Sequence, residues 1–129
     1  MKKQSIGGNI SGAGGQPLPF SKAYRAGDFV FVSGQTAMGP KGELIQGGIV
    51  EQTRQVLENI KGVLAEAGCE MSDVVKTTVW LDDSRDFWSF NRVYSEYFPT
   101  DAPARSTVRA ELVIDAKIEI EAIAYKPLA

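Results

Sequence analysis

The sequence predicts an α+β fold in the order ββαβαββ, with both helices on one face of a sheet. Three observations carry that prediction. Strand-like runs with a two-residue period stand near both ends of the chain, two stretches of helical spacing lie between them, and glycines or prolines break the chain at each junction. A length of 129 residues fits one domain with a real core, and 43% hydrophobic with 23% charged content is ordinary for a soluble globular protein.

Residues 1–16 hold Gly7, Gly8, Gly12, Gly14 and Gly15 and little to bury, which predicts a flexible lead-in before a single domain over 17–129. The G-x-G-x-x-G spacing of a dinucleotide loop is missing, and no strand precedes the glycines. Residues 22–25 predict a short strand that turns at Gly27-Asp28. The β-branched and aromatic run 29–33 predicts a second strand, stopped by Gly34. Pro40-Lys41-Gly42 and Gly47-Gly48 mark a loop. Val50, Leu57, Ile60, Leu64 and Ala67 then recur at helical steps, with Glu51, Arg54, Glu58 and Lys61 on other faces, until Gly68 ends the helix. Residues 74–81 predict a long strand, apolar on both faces. Asp83 or Ser84 can cap a second helix carrying Phe87, Phe90 and Tyr94, which ends before Pro99. Residues 104–109 and 117–124 predict the last two strands. Two helices cover one sheet face only, yet Phe29 and Phe31 as well as Val30 and Val32 need burial, so an oligomer is expected.

The composition excludes several chemistries. There is no histidine, so no Ser-His-Asp triad, Cys-His dyad or imidazole metal site can form, and acid–base work falls to carboxylates, Lys, Tyr, Cys or water. Cys69 is the single cysteine, which rules out an internal disulfide and makes the reducing cytosol the expected compartment. A net charge of −2 gives no electrostatic reason to expect nucleic acid as a partner. No apolar run reaches the roughly 20 residues that span a bilayer, and no signal peptide is expected.

Arg105 and Glu119 are the leading candidate site residues. The two-residue period puts Glu119 and Glu121 opposite Ile118, Ile120, Ala122 and Ala124, and puts Arg105, Thr107 and Arg109 on one side of their strand. If the two strands pair, a forked cation and a carboxylate share one surface, which suits gripping a small carboxylate substrate and steering a water. The same pattern also describes a cross-strand ion pair on a solvated face, and the spacing does not decide between them. Asn91 falls on the helical stripe of Phe87, Phe90 and Tyr94, where it can meet a ligand or satisfy a backbone group. Ser33 and Gly34 close the Phe-Val strand. No base stands near Ser33 in sequence, so it is not read as a nucleophile.

Together these motifs resemble the Rid family, the reactive intermediate deaminases of YjgF type, from about Pro19 to Tyr125. The matching runs are Val32-Ser33-Gly34-Gln35, Gln52-Thr53-Arg54-Gln55-Val56-Leu57-Glu58-Asn59-Ile60, Asp73-Val74-Val75-Lys76-Thr77-Thr78-Val79 and Asp86-Phe87 with Asn91 and Tyr94. The most diagnostic are Pro103-Ala104-Arg105-Ser106-Thr107 and Ile118-Glu119-Ile120-Glu121-Ala122-Ile123-Ala124. The resemblance implies a chorismate-mutase-like fold and a homotrimer whose sheets form a central barrel, with active sites in clefts between subunits. It implies deamination of 2-imino and 2-enamine acids, products of pyridoxal-phosphate dehydratases, to 2-keto acids and ammonia, without metal or cofactor. By position, Arg105 matches the arginine that grips the substrate carboxylate and Glu119 the glutamate associated with the attacking water. Ser33, Gly34, Asn91 and Thr107 match pocket-lining positions, and Phe20 stands where the core subfamily often has Tyr. The other reading is non-catalytic: a small-metabolite-binding regulator or a holdase-like chaperone on the same fold. The RNA cleavage sometimes ascribed to the family sits poorly with the acidic balance.

Overall fold

The computed structural model describes residues 3–11 and 15–128. Eight elements follow in order: β1 (Lys3–Ser11), β2 (Pro17–Ala26), β3 (Phe29–Gln35), α1 (Ile49–Glu66), β4 (Val74–Leu81), α2 (Phe87–Tyr97), β5 (Ala104–Arg109) and β6 (Ile118–Tyr125). The six strands make one sheet in the order β1-β2-β3-β6-β4-β5. All pairs are antiparallel except β4 and β5, which run parallel because α2 crosses over between them.

The α+β class, the two helices and the seven predicted elements are present. One expectation is corrected. The glycine-rich start, read as a loose lead-in, forms β1, which pairs with β2 from Lys3↔Ala26 to Ser11↔Pro17. Strand pairing needs backbone amides and carbonyls rather than apolar side chains, so a polar, glycine-rich run can still join an edge. Gly7 and Gly8 have φ of 75° and 62°, and the register slips there between Ile6 and Asn9, a bulge that a side chain at either position would strain. Residues 1, 2 and 12–14 of the expected lead-in lie outside the described residues.

Both helices lie on one side of the sheet. Val30, Val32, Ile118, Ile120, Ala122 and Ala124 point to that side and are buried beneath Val56, Leu57, Ile60 and Leu64 of α1 and Phe90 and Tyr94 of α2. Each fully buried Leu or Ile side chain contributes about 1.5–3 kcal/mol. At the end of α1, which has no basic residue in its last turn, Arg25 of β2 supplies a cation. Its guanidinium donates to the carbonyls of Gly27 and Lys126 at 3.1 Å and of Ala67 at 3.3 Å, tying β2, the end of β6 and α1 together.

The opposite sheet face has no helix. Phe29 and Phe31 alternate with buried Val30 and Val32 and stay 42% and 45% exposed, beside Tyr24 and Tyr125. The alternation read from sequence is therefore present, and the open face carries large aromatic side chains. No helix among the described residues is long and apolar enough to cross a membrane.

Candidate active site

The structure separates the two leading residues. β5 and β6 do not pair, because β4 lies between them. Along β4, Arg105 is level with Thr77 and Glu119 with Trp80. An odd offset of three residues puts the two side chains on opposite faces, by strand parity alone. Arg105 lies on the helix side and Glu119 on the open side. The expectation that both share one surface within a chain is thus corrected, and with it the cross-strand ion pair. Strand order, which no local pattern encodes, made the difference.

On the helix side, Arg105 rests on a layer of aromatic rings. Its Cζ is 4.9 Å from the ring centre of Tyr94, 5.0 Å from that of Phe90 and 5.8 Å from that of Phe87. Cation–π contact of this kind is worth about 0.5–2 kcal/mol, more as water is excluded. Among the described residues the guanidinium has no carboxylate or carbonyl acceptor, so its forked N–H edge is free. Thr107, two residues along the same face, buries its Oγ1 with no hydrogen-bond partner among the described residues. An orphaned hydroxyl there costs roughly 1–3 kcal/mol. Asn91 follows Phe87 by one helical turn and is half-buried, and its side chain bonds to no other described residue. The Tyr94 hydroxyl meets Thr77 Oγ1 at 2.7 Å in the core.

On the open side, Glu119 leans over Gly34. A Cβ at position 34 would meet the Glu119 carboxylate, so a side chain there would displace that group from its present place. The β3–β6 register slips between Val32 and Gln35, leaving Ser33 and Gly34 in a bulge, the kind of place where backbone is released from the ladder. The Ser33 hydroxyl donates to the Ser21 carbonyl at 2.6 Å, which anchors the bulge to β2 beside exposed Phe20. Ser21, Tyr24, Phe31, Ser33 and Glu121 line an open cavity of about 300 Å³ on this side. Burial first, and then the like charge of Glu121, pushes the Glu119 carboxyl up from its ordinary value. A carboxylate made more basic in this way is suited to accept a proton from water.

One side thus presents a cation without a protein acceptor among the described residues, near Thr107 and Asn91, and the other a carboxyl of raised pKa near Ser33 and Gly34. Cys69 belongs to neither. It is buried, and burial above all pushes its thiol up from the ordinary value, away from the reactive thiolate. Sequence reasoning missed Arg25, Thr77 and the ring layer beneath Arg105. The spacing of Phe87, Phe90 and Tyr94 was visible, but not what would lie on it.

A family model described as Endoribonuclease L-PSP matches residues 15–126. A RutC family protein of Pyrococcus horikoshii is 53% identical over 110 residues, covering 84% of this chain and 87% of its own. The 2-iminobutanoate/2-iminopropanoate deaminase of Mus musculus is 42% identical over 110 residues, covering 84% of this chain and 82% of its own. The crystal structure of TdcF from E. coli with bound serine superposes with a TM-score of 0.84 at 36% identity, covering 95% of this chain and 98% of that one.

Proposed function

This chain belongs to the Endoribonuclease L-PSP family, the YjgF or Rid type, and we propose that it hydrolyses 2-imino and 2-enamine acids to 2-keto acids and ammonia. One observation carries the reading: an arginine whose guanidinium has no protein acceptor among the described residues and sits over three aromatic rings. A guanidinium fits a substrate carboxylate in two parallel hydrogen bonds, which a lysine could not reproduce. The Thr107 hydroxyl and Asn91 border the same spot. The family deaminase of Mus musculus and the serine-bound TdcF both support a small ligand of this class.

In the reaction, water adds to C2 of the N-protonated imine as Glu119 takes one of its protons, Glu119 returns that proton to the carbinolamine nitrogen, and ammonia leaves and carries off the hydroxyl proton as the keto C=O forms. An imine is already electrophilic, so positioning and a modest base suffice. No histidine is needed.

Arg105 and Glu119 face opposite ways in one chain, so a complete site needs Arg105 of one copy and Glu119 of another. The aromatic open face, with Tyr24, Phe29, Phe31 and Tyr125, is the surface we assign to that assembly, a homotrimer with sites between subunits. A cytoplasmic setting suits a chain whose one cysteine is a buried free thiol. Phe20, lacking the hydroxyl of Tyr, gives the pocket an altered substrate preference.

The test is turnover of imines made in situ by an amino-acid oxidase, across a panel of side chains. Keto-acid release faster than the buffer rate is expected. Tight keto-acid binding without acceleration would replace the deaminase by a metabolite-binding regulator.

A further inference from the structure

We propose that Tyr94, anchored by Thr77, is a positioning residue that holds Arg105 in its carboxylate-gripping geometry; the inference rests on the deaminase reading of this site. Arg105 is not fixed by any hydrogen bond to a described residue, so its several side-chain torsions are set by the rings beneath it. Contact with the rings holds the guanidinium while leaving its N–H groups without a protein partner among the described residues, as a bidentate grip requires. Two rings of the layer are packed in the core: Phe90 is 0% and Tyr94 5% exposed. What sets its height is the 2.7 Å bond between Tyr94 and Thr77, because Thr77 is the residue of β4 level with Arg105 on β5. One strand pair therefore carries both the arginine and the anchor of its ring. Burial pushes the Tyr94 hydroxyl up from its ordinary value, so it stays neutral and bonded at physiological pH. Neither Tyr94 nor Thr77 needs to touch the substrate.

Tyr94→Phe keeps the ring and removes the anchor. With 2-oxobutanoate as probe, its Kd should rise about three- to tenfold, the worth of one buried hydrogen bond. KM for imines should rise by a similar factor with kcat little changed. Weak binding of the neutral 2-oxobutanamide should not move. Thr77→Val should match Tyr94→Phe, and Thr77→Ser, which restores the hydroxyl, should recover wild-type values; this pair decides the matter if Tyr94→Phe does not fold. In an Arg105→Ala background the Tyr94→Phe effect on kcat/KM should vanish. Unchanged 2-oxobutanoate affinity in a folded Tyr94→Phe protein, or an equal loss with and without Arg105, overturns the proposal. A wild type that binds 2-oxobutanoate through Tyr94 and Arg105 but leaves imine hydrolysis at the buffer rate overturns the deaminase reading instead.

Discussion

Arg25 and Arg105 both lie on the helix-covered side of the sheet, toward opposite edges, and neither is paired with a carboxylate among the described residues. Their surroundings differ. Arg25 spends its guanidinium on three backbone carbonyls, in the β2–β3 turn and just after α1 and β6, and only 9% of the residue is exposed. Arg105 spends nothing among the described residues: rings lie against its guanidinium and its hydrogen-bond donors are left over. A cation whose two terminal nitrogens are both engaged by backbone carbonyls holds a fold together, whereas one laid over aromatic rings with its donors unused is arranged for something that arrives later. The comparison can be broken by experiment.

The largest effect expected is on Arg105. Arg105→Ala should lower kcat/KM for imines by about 30- to 1000-fold, equivalent to 2–4 kcal/mol, with the melting temperature and assembly retained. Arg105→Lys keeps the charge without the fork and should fall between. The opposed faces add a sharper requirement. Mixing unfolded Arg105→Ala and Glu119→Gln chains in equal amounts and refolding them should restore about one quarter of wild-type activity, because one in four intersubunit sites then draws both residues from intact halves. No recovery in a properly assembled mixture would mean that the two residues do not meet across an interface.

Glu119→Gln should reduce kcat by about 100-fold, the low end for a general base, because the imine needs little activation. Its elevated pKa sets the sign of the pH dependence. The ionised form is the base, so wild-type kcat should climb as pH rises through that raised value, and the limb should disappear in Glu119→Gln. Stability runs the other way. A carboxyl raised in the fold favours folding while protonated, and that contribution is lost as pH rises through the folded value. Glu119→Gln should therefore melt slightly higher than wild type at neutral pH and equally below the ordinary carboxylate range. A variant that melts lower at pH 7 would show that the charge is structurally satisfied.

For Arg25 the loss should be one of stability. Arg25→Ala strands buried carbonyls and should cost about 2 kcal/mol of folding free energy, read as an earlier denaturation midpoint, while kcat/KM of the folded protein stays near wild type. If Arg25→Ala instead cripples turnover in a fully folded protein, the division between the two arginines fails.

The sequence made some of this legible and not the rest, for identifiable reasons. Faces within a strand follow a two-residue period, so Ile118 and Ile120 inward with Glu119 outward could be read directly. The helical stripe of α1 and the aromatic face of α2 were equally plain. Strand order is not written locally: the antiparallel β4–β6 pairing and the parallel β4–β5 pairing depend on where the α2 crossover lands, and they put Glu119 and Arg105 on different faces. β1 was missed because glycine-rich chain carries no apolar period, although its backbone pairs perfectly well. Arg25 was invisible for another reason. Its partners are carbonyls, and any residue type supplies a carbonyl. Residue chemistry and position suggested Arg105, Glu119, Asn91, Ser33 and Gly34, while Thr107 and Phe20 entered as site residues through the motif match.

The smallest expected effect concerns Phe20. It is 43% exposed in β2, next to the Ser21 carbonyl that anchors Ser33, so it borders the open-side half of the site without contributing a polar atom. Phe20→Tyr adds one hydroxyl to a ring that is already partly in water, which should leave folding unchanged. A new hydrogen bond to substrate or water near Ser33 would be worth about 1 kcal/mol, or roughly fivefold. The expectation is a shift of that size in relative kcat/KM between imines of small and large side chains, not a uniform gain. The contrast with Arg105 is the point of the experiment: the arginine grips a carboxylate common to every substrate, so its loss should penalise all of them alike, while position 20 should discriminate among them. Uniform behaviour of Phe20→Tyr across the panel would remove Phe20 from the specificity argument and leave the grip on the carboxylate unaffected.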